Sequence, residues 1–342
     1  MDVSLEHAQD VHSRMLIVDG HNDTPVERVA RGERPLKWMQ EDAAYHTDVP
    51  RMVQGNYNAG FFIVGDGPIA NVWVTAQRIL EQVDTYPDDL ALALTSADVE
   101  RARDAGKIAI LMGIEGAGRW LDGKVDILFL LHRLGIRLVG ITHGEGGENA
   151  AHLQGGKSPF GPCAPGDRER ERKEARGLTA FGREALKASN DLGMVTDLAH
   201  INDRAFYEVL ELSALPPIMS HTAVFSCCPH WRCLTDDQMV ALADAGGVMG
   251  IAFAPMFIHP EAPTIDRIVD HILYAVDRVG IDHVGIGTDF DGLGDKTPVV
   301  PEVSQLVHLT RAMLARGMAE DDIRKVWGEN FMRVLRQTID GR

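Results

Sequence analysis

Eight short apolar runs, most of them rich in β-branched residues, punctuate the chain, and longer amphipathic stretches separate most of them. They fall at Met15–Asp19, Gly60–Val64, Ile108–Ile114, Ile136–Thr142, Gly193–Asp197, Pro217–Ser220, Val248–Phe253 and His283–Thr288. Continuous apolar runs suit parallel strands buried on both faces, whereas strands with one wet face alternate. Helical periodicity marks Val72–Val83, Val125–Leu134, Ala180–Leu192, Asp203–Leu212, Asp237–Ala245, Ile265–Val279, Val303–Arg316 and Asp321–Gln337. Thr235-Asp236-Asp237-Gln238 has the form of a capping box opening one of them. Strands alternating with helices over 342 residues predict a (β/α)8 TIM barrel occupying residues 1–342 as one domain. An open doubly wound sheet is the competing architecture.

The polar residues at the ends of these runs carry the functional signal. Six of the eight runs end in a titratable or metal-type residue. The first closes on Asp19-Gly20-His21-Asn22-Asp23, the third on Glu115 and the fourth on His143. The fifth closes on Asp197-Leu198-Ala199-His200, the sixth on Ser220-His221 and the eighth on Asp289-Phe290-Asp291. Parallel strands would gather these side chains on one rim, the C-terminal face where barrel active sites lie. Any one of them could be a helix cap or a turn residue, as Asp291-Gly292 could be. Four histidines, a glutamate and two aspartates repeated at strand ends instead predict a metal site. Imidazole and carboxylate donors without ligand-spaced thiols suit a catalytic Zn²⁺ or a similar first-row ion. The candidates exceed the needs of one open site, so two metals roughly 3.5 Å apart are expected, with Glu115 as the natural bridge.

Other features narrow the function. The charge sum of 34 basic and 50 acidic residues, −16, leaves no footprint for a nucleic-acid backbone or an anionic membrane. No signal peptide, spanning stretch or lipid-anchor tail is legible, so a soluble cytoplasmic protein is expected. The cysteines at 163, 227, 228 and 233 lack the spacing of a zinc knuckle. Glycine-rich Gly113–Gly118 and Gly144–Gly147 lack the lysine of a phosphate loop, and Ser220 lies in no GxSxG. Residues 144–177 form a long polar segment, a candidate cover for the site. Its mixed-sign run Asp167–Glu174 reads as a solvated face or short helix.

At these positions the sequence resembles the membrane dipeptidase (renal dipeptidase) family, zinc peptidases of the amidohydrolase superfamily. The matching pieces run in family order: Val18–Asp23, Gly113–Gly116, Leu138–His143, Gly177–Gly182, Asp197–His200, Ser220-His221, Arg232 with Asp236-Asp237, Gly287–Gly292 and Gly328–Val334. The resemblance implies a barrel holding two zinc ions, one on His21 and Asp23 and the other on His200 and His221, with Glu115 bridging. It also implies that His143 and Arg232 contact the substrate and that Asp289 handles protons beside the first metal. The expected reaction is hydrolysis of dipeptides, including those with a D-residue at the C-terminal position, by a hydroxide bridging the metals. A homodimer is implied too. Three departures stand out. Cys233 replaces the asparagine usual after the arginine, Gly144–Asn149 differs from the family loop, and the secretory and anchor segments of animal members are missing. Rival readings are a lactonase or deaminase of the same superfamily and a non-catalytic metal-binding barrel. His21-Asn22-Asp23 in place of His-x-His favours the dipeptidase.

Overall fold

The computed structural model describes residues 3–65, 69–147, 152–174 and 176–341. Its strands are β1 (Ile17–Asn22), β2 (Tyr57–Gly65), β3 (Leu90–Leu92), β4 (Ile108–Ile114), β5 (Ile136–Gly140), β6 (Val195–Asp197), β7 (Ile218–Thr222), β8 (Val248–Ile251) and β9 (Val284–Ile286). All pairings between them are parallel, in the order β1-β2-β4-β5-β6-β7-β8-β9, and β3 is a short appendage on β4. The ring closes where Asn22 bridges Phe290, and Asp289 N–H donates to His21 O at 3.1 Å. The architecture is the (β/α)8 barrel, not the open sheet.

Side-chain alternation along the strands sorts the core into two layers. Ala59, Phe61 and Ile63 of β2 and Ala109 and Leu111 of β4 join Val18, Leu138, Val195, Ile218 and Val248 inside the barrel. Phe62, Val64, Ile110 and Met112 point outward to the helical layer. Both faces are therefore buried, as their unbroken apolar runs require.

One end of the barrel is plugged by the chain's last helical segment. Asn330 donates its Nδ2 to the carbonyls of Ile281 at 2.7 Å and Val284 at 2.8 Å. The buried Phe331 then projects into the interior, where a Cβ on Gly285 or Gly20 would come within 2.7 or 2.9 Å of its ring. Gly328 lets the segment approach β1, since a Cβ there would lie 2.4 Å from Leu16 O. The Gly328–Val334 motif is thus a floor, and the strands' C-terminal ends are left to form the opposite rim. Phe331→Ala should cost about 3–5 kcal/mol in denaturant unfolding, the usual loss for a buried phenylalanine. A loss below about 1 kcal/mol would show that the floor is not tightly packed.

The helices expected at Asp203–Leu212 and Ile265–Val279 are found with those bounds, and the capping box at Thr235 and Gln238 is formed. Additional helices occur at Leu5–Ser13, Thr24–Ala30, Val49–Gln54, Ser96–Asp104 and Ala117–Leu121. Among the described residues no helix is long and apolar enough to cross a membrane.

Candidate active site

The rim gathers the strand-end residues into one cluster. Three overlapping donor sets have all their ligand atoms within 4.8 Å of one another: His21–Glu115–His221, Glu115–His143–His200 and His21–Asp23–Asp289. All seven of these predicted side chains therefore meet. Arg232 joins them from the 223–234 loop, with Nη1 2.9 Å from His200 Nδ1 and Nη2 3.3 Å from His221 O. His143 is the most exposed of the imidazoles, its Nε2 3.8 Å from Glu115 Oε2.

Buried hydrogen bonds orient the donors. Ser220 Oγ donates to Asp197 Oδ2 at 2.6 Å and stands 2.9 Å from His221 Nδ1. The serine can accept from Nδ1–H, which leaves His221 Nε2 as a lone pair facing the cluster. Asp197 also accepts from the backbone N–H groups of Ala199 at 3.0 Å and Ser220 at 2.8 Å, locking both histidine-bearing turns. Asp19 plays the equivalent part at the seam. It accepts from Thr288 N–H and Oγ1 at 2.7 Å each and from Tyr57 OH at 3.0 Å. Asp291 ties the rim to the 46–47 loop instead of joining the donors, accepting from His46 N–H at 2.9 Å.

The backbone is bent to aim these groups. His200, Asp289 and Asp291 adopt φ of 62°, 60° and 67°. Left-handed backbone costs a non-glycine residue roughly 1–2 kcal/mol, and such strain collects at functional sites. Gly292 is the counterpart: a Cβ there would lie 2.2 Å from Asp23 Oδ2 and 2.5 Å from Asp289 Oδ1. Its lack of a side chain leaves room for two adjacent carboxylates.

The electrostatics fit a cation. Glu115 Oε1 is buried without a hydrogen-bond partner, 3.2 Å from His200 Nε2 and 3.7 Å from His221 Nε2. Burial raises the Glu115 and Asp289 carboxyls to about 7 each, with Asp23 adding repulsion and His21 opposing. Burial alone would lower His21, yet Asp23, Glu115 and Asp289 together lift it to about 10. An unpaired buried carboxylate is costly, and a ligated ion removes that cost. The oxygen and nitrogen donors fit Zn²⁺ or a similar divalent ion. Arg232 Nη1 stands 2.9 Å from His200 Nδ1, and the ring's other nitrogen, Nε2, lies 3.2 Å from Glu115 Oε1 inside the donor cluster.

The cluster floors a cavity of about 600 Å³. Phe160, Met256, Phe257 and Leu293 supply an apolar wall, and Asp295 and Lys296 complete the lining on the side of Gly292. Ser158, Pro159 and Phe160 come from the long segment after β5, so part of that segment borders the site. Glu148 and Asn149 of the variant loop lie outside the described residues. The cysteines are free thiols, and Cys228 and Cys233 direct Sγ to the carbonyls of Met256 at 3.4 Å and Phe257 at 3.7 Å.

The run Asp167–Glu174 is a short helix, but only part of it is solvated. Arg168 is 6% exposed. Both Glu171 carboxylate oxygens are buried. Burial, then Asp203, pushes Glu171 up to about 7 against Arg168 and Arg172. The folded state keeps this acid neutral while the unfolded chain ionises near 4.5, so stability falls as pH rises from about 4.5 to about 7. Glu171→Gln should therefore gain in melting temperature over the parent protein across that window and hold the gain above it. A difference independent of pH would contradict this assignment.

A family profile described as Membrane dipeptidase (Peptidase family M19) matches residues 5–341. The chain is 31% identical over 317 residues to Dipeptidase tcpJ of Claviceps purpurea (strain 20.1), covering 88% of this chain and 71% of that protein. It is 30% identical over an alignment of 356 positions to Dipeptidase verJ of Clonostachys rogersoniana, covering 98% and 87%. A solved metallo peptidase from Rhodobacter sphaeroides, liganded with a phosphinate mimic of the dipeptide L-Ala-D-Ala, superposes with a TM-score of 0.84. That match has 27% identity and covers 95% of this chain and 99% of that one.

Proposed function

The chain belongs to the membrane dipeptidase family of metallo-dipeptidases, and from this premise we propose that its rim donors hold two zinc ions and hydrolyse dipeptides, including those ending in a D-residue. His21 and Asp23 would serve one ion, His200 and His221 the other, and Glu115 both. The observation that carries the pairing is Glu115, whose buried carboxylate belongs to two of the three donor sets and has one oxygen without a hydrogen bond. Such a pair of ions supplies a water ionised near neutral pH, its pKa lowered from about 16 to roughly 7, and draws charge from the scissile carbonyl.

The chain's own residues supply the rest. Asp289 is buried on the cavity wall with its carboxyl raised to about 7, a range in which it can take a proton and return it. It would accept the water's proton as the new C–O bond forms. It would deliver that proton to the leaving nitrogen as the C–N bond breaks. His143, also on the wall, would donate to the oxyanion between those events. Arg232 presents a fork of donors suited to the terminal carboxylate of a dipeptide. The acceptance of a D-residue is supported by the L-Ala-D-Ala mimic held by the Rhodobacter relative.

Purified protein supplied with zinc should release amino acids from L,L and L,D dipeptides, L-Ala-D-Ala among them, and leave lactones intact. Cleavage of lactones with no dipeptide turned over would overturn this reading.

A further inference from the structure

The charged helix Asp167–Glu174 sends one arginine inward, and its contacts converge on the backbone around Arg232. Arg168 Nη2 donates to the carbonyls of Trp231 at 2.8 Å and Cys233 at 2.6 Å, the two neighbours of Arg232 in sequence. Its Nη1 donates to Asp203 Oδ1 at 2.7 Å, and Asp203 lies three residues beyond His200. Arg232's own carbonyl accepts from Thr222 Oγ1 at 2.7 Å, next to His221. Three consecutive carbonyls are thus held by side chains, with Arg168 gripping the outer two. Those carbonyls are acceptors that would otherwise be partly unmet in a buried turn, and a charge-assisted donor satisfies them strongly.

We infer that Arg168 is a positioning residue for recognition of the substrate's terminal carboxylate, acting by fixing the turn that carries Arg232. The inference rests on the proposal that Arg232 binds that carboxylate. It gives the mixed-sign run a role beyond solvation. One guanidinium joins the segment after β5 to the 230–233 turn and, through Asp203, to the segment that follows His200. Its planar fork is needed, because an ammonium cannot span the two carbonyls and the carboxylate in the same geometry.

The test is kinetic, on full-length, zinc-loaded enzyme with metal content measured. kcat and KM are determined for a dipeptide and for its C-terminal amide, with Arg168→Ala and Arg168→Lys made in the parent and in an Arg232→Ala background. Loss of folded protein lowers rates on both substrates alike, so their ratio isolates positioning from stability. Arg168→Ala should raise KM for the free dipeptide about tenfold or more, within the range that misplacing a binding group costs. It should change the amide by less than about twofold, and Arg168→Lys should show the same asymmetry, weakened. In the Arg232→Ala background the Arg168 substitutions should add almost nothing, the non-additivity of residues acting as a unit. Equal losses on both substrates, additive losses, or no loss would overturn the inference, and Arg168→Lys decides it if Arg168→Ala fails to fold. The underlying proposal fails separately, if Arg232→Ala alone harms dipeptide and amide equally.

Discussion

Asp289→Asn is expected to lower kcat by about 10²–10⁴-fold while leaving the fold and most of the bound metal in place. Asparagine keeps the shape of aspartate and tolerates the left-handed backbone that this position requires, with φ at 60°. The backbone N–H bond to His21 O, part of the seam that closes the barrel, is unaffected by the change. What is lost is a group that can hold a proton. Asp289 is buried beside His21 and Asp23, and burial has already raised its carboxyl to about 7. Within the donor cluster Asp23 and Glu115 are assigned to metal, which leaves Asp289 as the carboxylate to shuttle the proton. Steady-state kinetics with metal analysis on the same sample checks this. A metal-replete variant with near-normal kcat would remove Asp289 from proton transfer.

Glu115→Gln is expected to reduce metal affinity at both positions by more than about 100-fold, beyond the roughly 10–100-fold that loss of a supporting residue costs. The amide keeps the volume and removes the charge shared between the donor sets. Two effects then separate. Metal content, read by elemental analysis after dialysis against a weak chelator, should fall for both ions together. The metal-free variant should melt no lower than the metal-free parent, because the buried carboxylate is without a hydrogen bond on Oε1 and its burial penalises the charged form. Full metal loading would contradict the bridging role. Loss of one ion alone would assign Glu115 to a single site.

The legibility of this molecule in its sequence follows from how each feature is encoded. Strands buried on both faces write themselves as continuous apolar runs, so all eight barrel strands were readable, with edges shifted by a few residues. β3 was not, because Leu90–Leu92 is three residues long and sits outside the ring. The donors were readable because parallel strands place their ends together, so His21, Glu115, His200, His221 and Asp289 needed only the right topology to meet. The parts that aim them were harder. Ser220 reads in the sequence as a strand-end serine outside any GxSxG, with nothing to mark it as the link between Asp197 and His221. Gly292 looked like half of a turn, and its role comes from two carboxylates crowding the place of its Cβ. Arg168 was hidden most completely. A run of alternating charges carries no mark of which member faces inward, and the carboxylate, amide and carbonyl partners of Arg168 lie 35 or more residues away. The backbone carbonyls among them have no sequence signature at all.

The proposed chemistry requires two ions sharing Glu115. Anomalous diffraction at the zinc edge from crystals of the zinc-loaded protein locates them directly. Two peaks roughly 3.5 Å apart are predicted, on either side of the Glu115 carboxylate, one beside His21 and Asp23 and the other beside His200 and His221. A single peak, or zinc lodged away from Glu115, would contradict the proposed chemistry.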